Sequence, residues 1–121
     1  ELMRLSILRA KFCESLAPKF GLSSHESKLF LMGLFSLMDV FLGRPLEEVL
    51  ENIPLSGEIK QALQGQENTY KLVLNLAVHY EKGAWEDVSQ LITQLNLAEE
   101  DLPEIYARAI EFVESIPLTC S

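Results

Sequence analysis

Apolar residues recur at intervals of three and four along nearly the whole chain of 121 residues, and this periodicity constrains the fold more than any other feature. Such spacing places apolar side chains on one face of a helix. The clearest stripe comprises Trp85, Val88, Leu91, Ile92 and Leu95. Alternation with a period of two, which is typical of half-buried strands, is absent over any useful length. The sequence therefore predicts an all-α fold.

Glycine, proline and capping residues divide this periodic sequence into six or seven predicted helices. In the first helix, the expected core residues are Leu5, Leu8, Phe12 and Leu16, and the residues expected to face mostly outward are Arg4, Arg9, Lys11 and Glu14. The predicted caps and breaks elsewhere are Gly21, Ser23 or Ser24, Gly43, Pro45, Pro54, Ser56, Gly65, Asn68, Gly83, Asn96 and Pro103. Because the connections are short, we expect one compact domain over residues 1–121.

The predicted helix over residues 25–42 is apolar nearly all round. A surface helix would show a wide polar face, so we expect this one to be the buried central helix of the bundle. Gly33, Ser36 and Asp39 follow along it at steps of three. There another backbone can approach closely or a polar contact can be buried. Replacing Gly33 with leucine is therefore expected to cost at least roughly 1–3 kcal/mol.

The charge balance is acidic and uneven. The chain has 10 Lys+Arg against 18 Asp+Glu, a formal net charge of −8. Residues 1–44 carry six basic and four acidic residues (+2), and residues 45–121 carry four and fourteen (−10), which together give −8. This balance disfavours nucleic acid and anionic membranes as partners. We expect the acidic part to form a solvated outer face.

Candidate metal ligands and catalytic groups are sparse. His25 and His79 form no His-Asp or His-x-x-x-His pair, so we expect no metal, no cofactor and no catalytic residue. Cys13 and Cys120 are interpreted as reduced thiols of a cytoplasmic protein. The sequence starts at Glu1 without a signal-peptide pattern, and its longest apolar stretch is too short to span a membrane. We expect it to be part of a longer chain.

Residues 28–39 resemble the central helix of HDOD domains, relatives of the HD metal-dependent phosphohydrolases. In those domains an apolar-Gly-apolar-apolar segment leads into a His-Asp dyad, and residues 33–35 match that lead-in. The dyad would fall on Ser36 and Leu37, and neither side chain can replace a metal-binding His-Asp pair. The resemblance therefore implies the fold without the metal chemistry of the HD enzymes.

Separate motifs in the same order extend the resemblance over nearly the whole chain, at residues 9–14, 33–39, 42–50, 55–56, 59–63 and 80–85. They are similar to the C-terminal half of the HDOD domain in bacterial proteins that join an N-terminal EAL domain to HDOD. EAL domains are cyclic-di-GMP phosphodiesterases, whose catalytic residues would lie upstream of Glu1. The resemblance thus implies a parent protein in second-messenger signalling. The candidate structural or interaction residues are Gly33, Ser36, Asp39, Arg44 and Trp85.

We expect a non-catalytic regulatory or protein-interaction domain of a bacterial signalling protein that contacts a partner domain or subunit. Its apolar residues exceed what polar residues can screen, so we also expect a two-fold homodimer through the central or the first helix. Two alternatives stay open. One is a degenerate HD-type phosphohydrolase, which would need metal ligands at spacings absent here. The other is a small-ligand sensor with a pocket around Trp85 and Tyr80.

Overall fold

The structure is a computed structural model that describes residues 2–51, 53–97 and 99–117. These residues form helices and connecting turns without a strand, so the all-α prediction is confirmed. The α-helices are α1 (Leu2–Leu16), α2 (Glu26–Phe35), α3 (Met38–Leu42), α4 (Leu46–Leu50), α5 (Gly57–Leu63), α6 (Thr69–Lys82), α7 (Trp85–Leu95) and α8 (Leu102–Glu114). Short 3-10 helices lie at Ala17–Phe20, Ser23–His25 and Glu99–Asp101. If α2 and α3 are taken as one interrupted segment, the described helices number seven.

Several helix ends lie at the capping residues that the sequence predicts. The side chains of Ser56 and Asn68 accept hydrogen bonds from backbone N–H groups at the start of α5 and α6. At the other end, Gly83 and Asn96 terminate α6 and α7 in the left-handed backbone conformation. Their N–H groups bond to carbonyls of the last helical turn, which would otherwise lack partners. These ends fix the turns that bring successive helices into contact.

Two predicted helix starts differ from the structure. Ser23 and Ser24 do not cap α2, because they belong to a 3-10 turn and His25 precedes the helix without a side-chain hydrogen bond. Pro45 lies just before α4 rather than at its first residue, with an extended ψ of 141°. Both differences shift a boundary by a residue or two and leave the helix order unchanged.

The central helix of the bundle is α1, which packs against α2, α6 and α8. Phe12 and Leu16 are fully buried, as predicted, whereas Leu5 and Leu8 are only half-buried. Arg9 was predicted to face mostly outward, but this prediction is wrong because its side chain is buried against a partner on α6. Neighbouring helices thus cover α1 on several sides.

The segment predicted as one helix over residues 25–42 is interrupted after Phe35. The Ser36 hydroxyl donates to the Gly33 carbonyl at 2.7 Å, and a serine that bonds the preceding turn in this way competes with the helical backbone pattern. Leu37 follows with φ −112° and ψ 9°, outside the helical range. A second helix then begins at Met38. The prediction of a single continuous helix is therefore wrong.

Gly33 is the point at which the backbones of α1 and α2 meet. A Cβ atom at this position would lie 2.6 Å from the Cα of Ala10 and 2.8 Å from both its amide nitrogen and the Arg9 carbonyl oxygen. Carbon atoms in contact normally stay about 3.5–4.0 Å apart, so the space admits only glycine. The predicted close approach of another backbone at Gly33 is confirmed.

Aromatic rings fill the junction of α1, α6 and α8. The ring centroid of Phe12 lies 5.4 Å from that of Tyr80 and 5.0 Å from that of Tyr106. Trp85, at the start of α7, packs edge-on against Tyr80 with 5.1 Å between the ring centroids, yet the residue is 58% exposed. Trp85 belongs to the predicted apolar stripe of α7, but it lies at the solvent end of this cluster and not in the core.

Candidate interaction surface

A groove of about 430 Å³ lies between the first half of α1 and the α2–α3 segment. We call it the apolar groove, and its lining residues are Met3, Ser6, Ile7, Leu34, Met38, Phe41 and Leu42. None of these residues carries a charge. Six of the seven are large and apolar, so the groove lacks the several polar groups with which a polar small molecule is usually oriented. Its chemistry suits an apolar side chain or helix face.

The rim of the apolar groove consists of large side chains that the described helices leave uncovered. Met3 of α1 is 47% exposed and Leu42 of α3 is 53% exposed, and Val40, which shares α3 with Leu42 but does not line the groove, is 58% exposed. No residue of α3 is buried. The prediction that residues 25–42 are buried on all sides is therefore wrong for α3, because the described helices do not enclose it. Contiguous apolar patches of this kind mark interaction sites.

Ser6 places one polar atom in the otherwise apolar wall of the groove. The residue is 2% exposed, and its hydroxyl has no hydrogen-bond partner among the residues that the structure describes. Leaving a buried hydroxyl unsatisfied costs about 1–3 kcal/mol.

Two of the five predicted site residues meet in a buried polar network behind the groove. Arg9 donates from Nε and Nη2 to the Glu81 carboxylate at 3.0–3.3 Å, and from Nη1 to the hydroxyl of Ser36 at 3.1 Å. The two ionic side chains are only 9% and 6% exposed. Ser36 in turn bonds Gly33, so the network connects α1, α2 and α6.

The burial of this network changes the acidity of its carboxylate. Burial raises the pKa of Glu81, and the hydrogen bonds and positive charge of Arg9 oppose that change. Burial also raises the pKa of the neighbouring Cys13 thiol to about 12, with the Glu81 charge acting in the same direction. Cys13 is thus a buried, protonated thiol. The second predicted thiol, Cys120, lies outside the described residues.

The other three predicted site residues are not brought together with this network. Asp39 is half-buried in the first turn of α3, and its carbonyl oxygen accepts the backbone N–H of Arg44 at 3.2 Å. The Arg44 side chain is exposed and pairs with Glu48, an arrangement that contributes little in water. Trp85 does not line the apolar groove. The roles assigned to these three residues stay predictions.

The described part of the chain contains no group of three or more His, Cys, Asp or Glu side chains that could hold a metal ion. His79 has one acidic neighbour, with 3.9 Å between its Nδ1 and the nearer carboxylate oxygen of Asp87. None of the described helices has both the length and the apolar character needed to span a bilayer.

Comparison with known proteins identifies two relatives that each match 116 residues, or 96% of the chain. The chain is 37% identical to the uncharacterized protein YuxH of Bacillus subtilis and 32% identical to the cyclic di-GMP phosphodiesterase CdgJ of Vibrio cholerae. The matched segment covers 28% of the first relative and 27% of the second, so the chain spans little more than a quarter of their length. No family model matches the chain, and no solved structure matches it.

Proposed function

We propose that this chain is a non-catalytic, HDOD-like regulatory domain that acts by protein interaction in a cytoplasmic bacterial signalling protein linked to cyclic di-GMP. The observation that carries the proposal is the uncharged apolar groove with the exposed side chains of α3 beside it. A surface of this kind stabilises contact with another protein through burial of apolar area. Signalling through such a domain requires only that binding alter the position or activity of a joined domain.

The Vibrio cholerae relative supports the cyclic di-GMP link, because that protein is a cyclic di-GMP phosphodiesterase. The matched segment is about a quarter of it, and we propose that phosphodiesterase activity in the parent protein lies outside this segment. The described residues of this chain offer buried packing and an apolar surface. They do not assemble the carboxylate and histidine ligands that a metal-dependent phosphodiesterase needs.

We propose a second copy of this chain as the occupant of the apolar groove. The groove belongs to residues 1–44, which carry a net charge of only +2, whereas residues 45–121 carry −10. Because none of the residues that line the groove is charged, two copies that meet there bring together uncharged surfaces, while most acidic residues lie in the remaining sequence. A two-fold axis would place α3 of each copy against the groove of the other.

The exposed apolar area sets the expected strength of this dimer. The partly exposed side chains of Met3, Leu31, Val40, Phe41 and Leu42 together present on the order of 400 Å² of apolar surface. A symmetric pair would then bury roughly 800 Å², which is less than the roughly 1,200–2,000 Å² of stable interfaces. Because association also costs translational and rotational entropy, we expect a dissociation constant in the micromolar range or weaker.

Sedimentation velocity at rising protein concentration tests this proposal. Between roughly 5 and 500 μM, the average mass should rise from 13.7 kDa towards twice that value. Leu42→Asp places a charge on the rim of the apolar groove and should keep the protein monomeric. The matched control is Ile110→Asp, which alters an exposed apolar residue of α8 outside the groove and should associate like the wild type.

Two outcomes would contradict the proposal. One is a wild-type protein that stays at 13.7 kDa over the whole concentration range. The other is equal loss of association in both variants, because the contact would then lie outside the groove or the association would be nonspecific. Circular dichroism of each variant shows whether the helices are intact, so a change in mass can be assigned to the surface rather than to unfolding.

A further inference from the structure

A second cleft, distinct from the apolar groove, has walls of a different chemistry. It measures about 240 Å³ and lies where α1, α2, α5 and α6 meet. Its polar lining consists of Arg9, Ser36, Lys71, Asn75 and His79, and apolar side chains of α5 and α6 complete the wall. We call it the polar cleft. All five polar residues carry N–H or O–H groups that can donate hydrogen bonds, and none of them is acidic.

Three of these residues come from one face of α6. Lys71, Asn75 and His79 follow at steps of four, a spacing that places side chains one above another along a helix. All three are half-buried. In the part of the chain that the structure describes, the side chains of Lys71 and Asn75 have no hydrogen bond or ion pair. Two donors with unused capacity, one of them cationic, thus line the same cleft.

The base of the polar cleft is held in place by the buried network. Arg9 has five N–H donors, of which the contacts with Glu81 and Ser36 use three. The Glu81 carboxylate neutralises the charge of Arg9. The net positive charge of the polar cleft therefore comes from Lys71. Among the described residues, the acidic group paired with His79 is Asp87, whose side chain is half exposed and whose charge is therefore screened by solvent.

We propose that the polar cleft is a binding site for a small phosphate-class anion. A phosphate group offers several oxygen acceptors to the ammonium of Lys71, the amide N–H of Asn75 and a ring N–H of His79. The volume of the polar cleft is below the roughly 300–1,000 Å³ of sites for drug-sized ligands. The expected ligand is therefore inorganic phosphate or a small phosphate monoester. A whole cyclic dinucleotide exceeds this space.

The test is a titration of the full chain with inorganic phosphate, followed by NMR amide shifts at constant ionic strength. Saturable shifts should be confined to the polar cleft. Lys71→Gln should weaken binding by about tenfold, because it removes a hydrogen bond to a charged group. The matched control is Lys60→Gln, which removes the same charge from half-buried Lys60 of α5 outside the cleft, and its binding should stay within about twofold of the wild type.

Titrations with two other anions show whether the cleft recognises the phosphate group itself. Glycerol phosphate should bind at the same amides as inorganic phosphate, whereas acetate at equal concentration should not produce saturable shifts. Absence of saturable shifts with phosphate, equal binding of acetate, or equal weakening by the two lysine variants would overturn the proposal. Titration of the Leu42→Asp protein makes this test independent of the proposed dimer, because that residue does not line the polar cleft.

Discussion

Replacing Gly33 with alanine is expected to force α1 and α2 apart and to destabilise the protein. The added Cβ would lie 2.6–2.8 Å from three backbone atoms of Ala10 and Arg9. Since contact distances are about 3.5–4.0 Å, the two helices must separate locally by about 1 Å. Backbone atoms cannot rotate away as a flexible side chain can, so the strain spreads into the packing of the central helix.

The magnitude follows from two opposing effects. Overpacking of a close-packed interior costs typically about 1–3 kcal/mol. Alanine in place of glycine in a helix recovers about 1 kcal/mol of backbone entropy. Because the added Cβ would meet backbone atoms, the overpacking cost lies in the upper part of this range, about 2–3 kcal/mol. The net loss for Gly33→Ala is then about 1–2 kcal/mol, and Gly33→Leu loses more. For a domain of this size, the loss corresponds to a fall in Tm of roughly 4 °C per kcal/mol.

Urea and thermal unfolding followed by circular dichroism measure this effect. Gly57→Ala is the matched control, because Gly57 also lies in a helix but a Cβ there would meet nothing within 4 Å. The control should be as stable as the wild type or more stable by up to about 1 kcal/mol. If Gly33→Ala unfolds at the same urea concentration as the wild type, the inferred backbone contact does not limit the α1–α2 packing and the reasoning is refuted.

The remaining predictions concern buried groups and metal. Arg9→Met should lower the unfolding free energy by about 3–5 kcal/mol by leaving the buried Glu81 unpaired. Adding Glu81→Gln to the Arg9→Met protein should restore most of the lost unfolding free energy. A loss within about 1 kcal/mol for Arg9→Met alone would instead indicate an exposed ion pair. Because burial raises the pKa of Cys13 from 9.0 to about 12, the unfolding free energy should decrease between these pH values, where the unfolded thiol ionises before the native one. In Cys120→Ser protein the remaining thiol should react with Ellman's reagent only after denaturation, and rapid reaction of the native protein would contradict its burial. Purified protein should hold no stoichiometric iron, manganese or zinc and leave cyclic di-GMP intact, and metal content with turnover above the blank would contradict the non-catalytic proposal.

Local signals allow much of the helix order to be predicted from the sequence. The cap at Asn68, the left-handed ends at Gly83 and Asn96, and the stripe of α7 depend on neighbouring residues, so the sequence contains all the necessary information. The close contact at Gly33 was also predictable, because a glycine within an apolar helix marks space that a side chain would fill.

The parts that could not be predicted depend on distant contacts. Arg9 is buried because Glu81, 72 residues away in sequence, neutralises it, and the spacing within α1 cannot indicate that partner. The polar cleft has the same origin, since it requires α6 to lie beside Ser36. The apolar character of residues 25–42 predicted burial, but it does not distinguish a helix enclosed by its own chain from one whose face is left for a partner.

The most direct test of the central claim is an NMR comparison of dilute and concentrated wild-type protein. Association through the apolar groove should shift the backbone amides of residues 3–7 and 34–42 as concentration rises, while those of α7 should stay constant. Fitted to a monomer–dimer equilibrium, the shifts should give a single dissociation constant that agrees with sedimentation. Amide positions that are independent of concentration, or shifts that map to α7 rather than to the groove, would contradict the account.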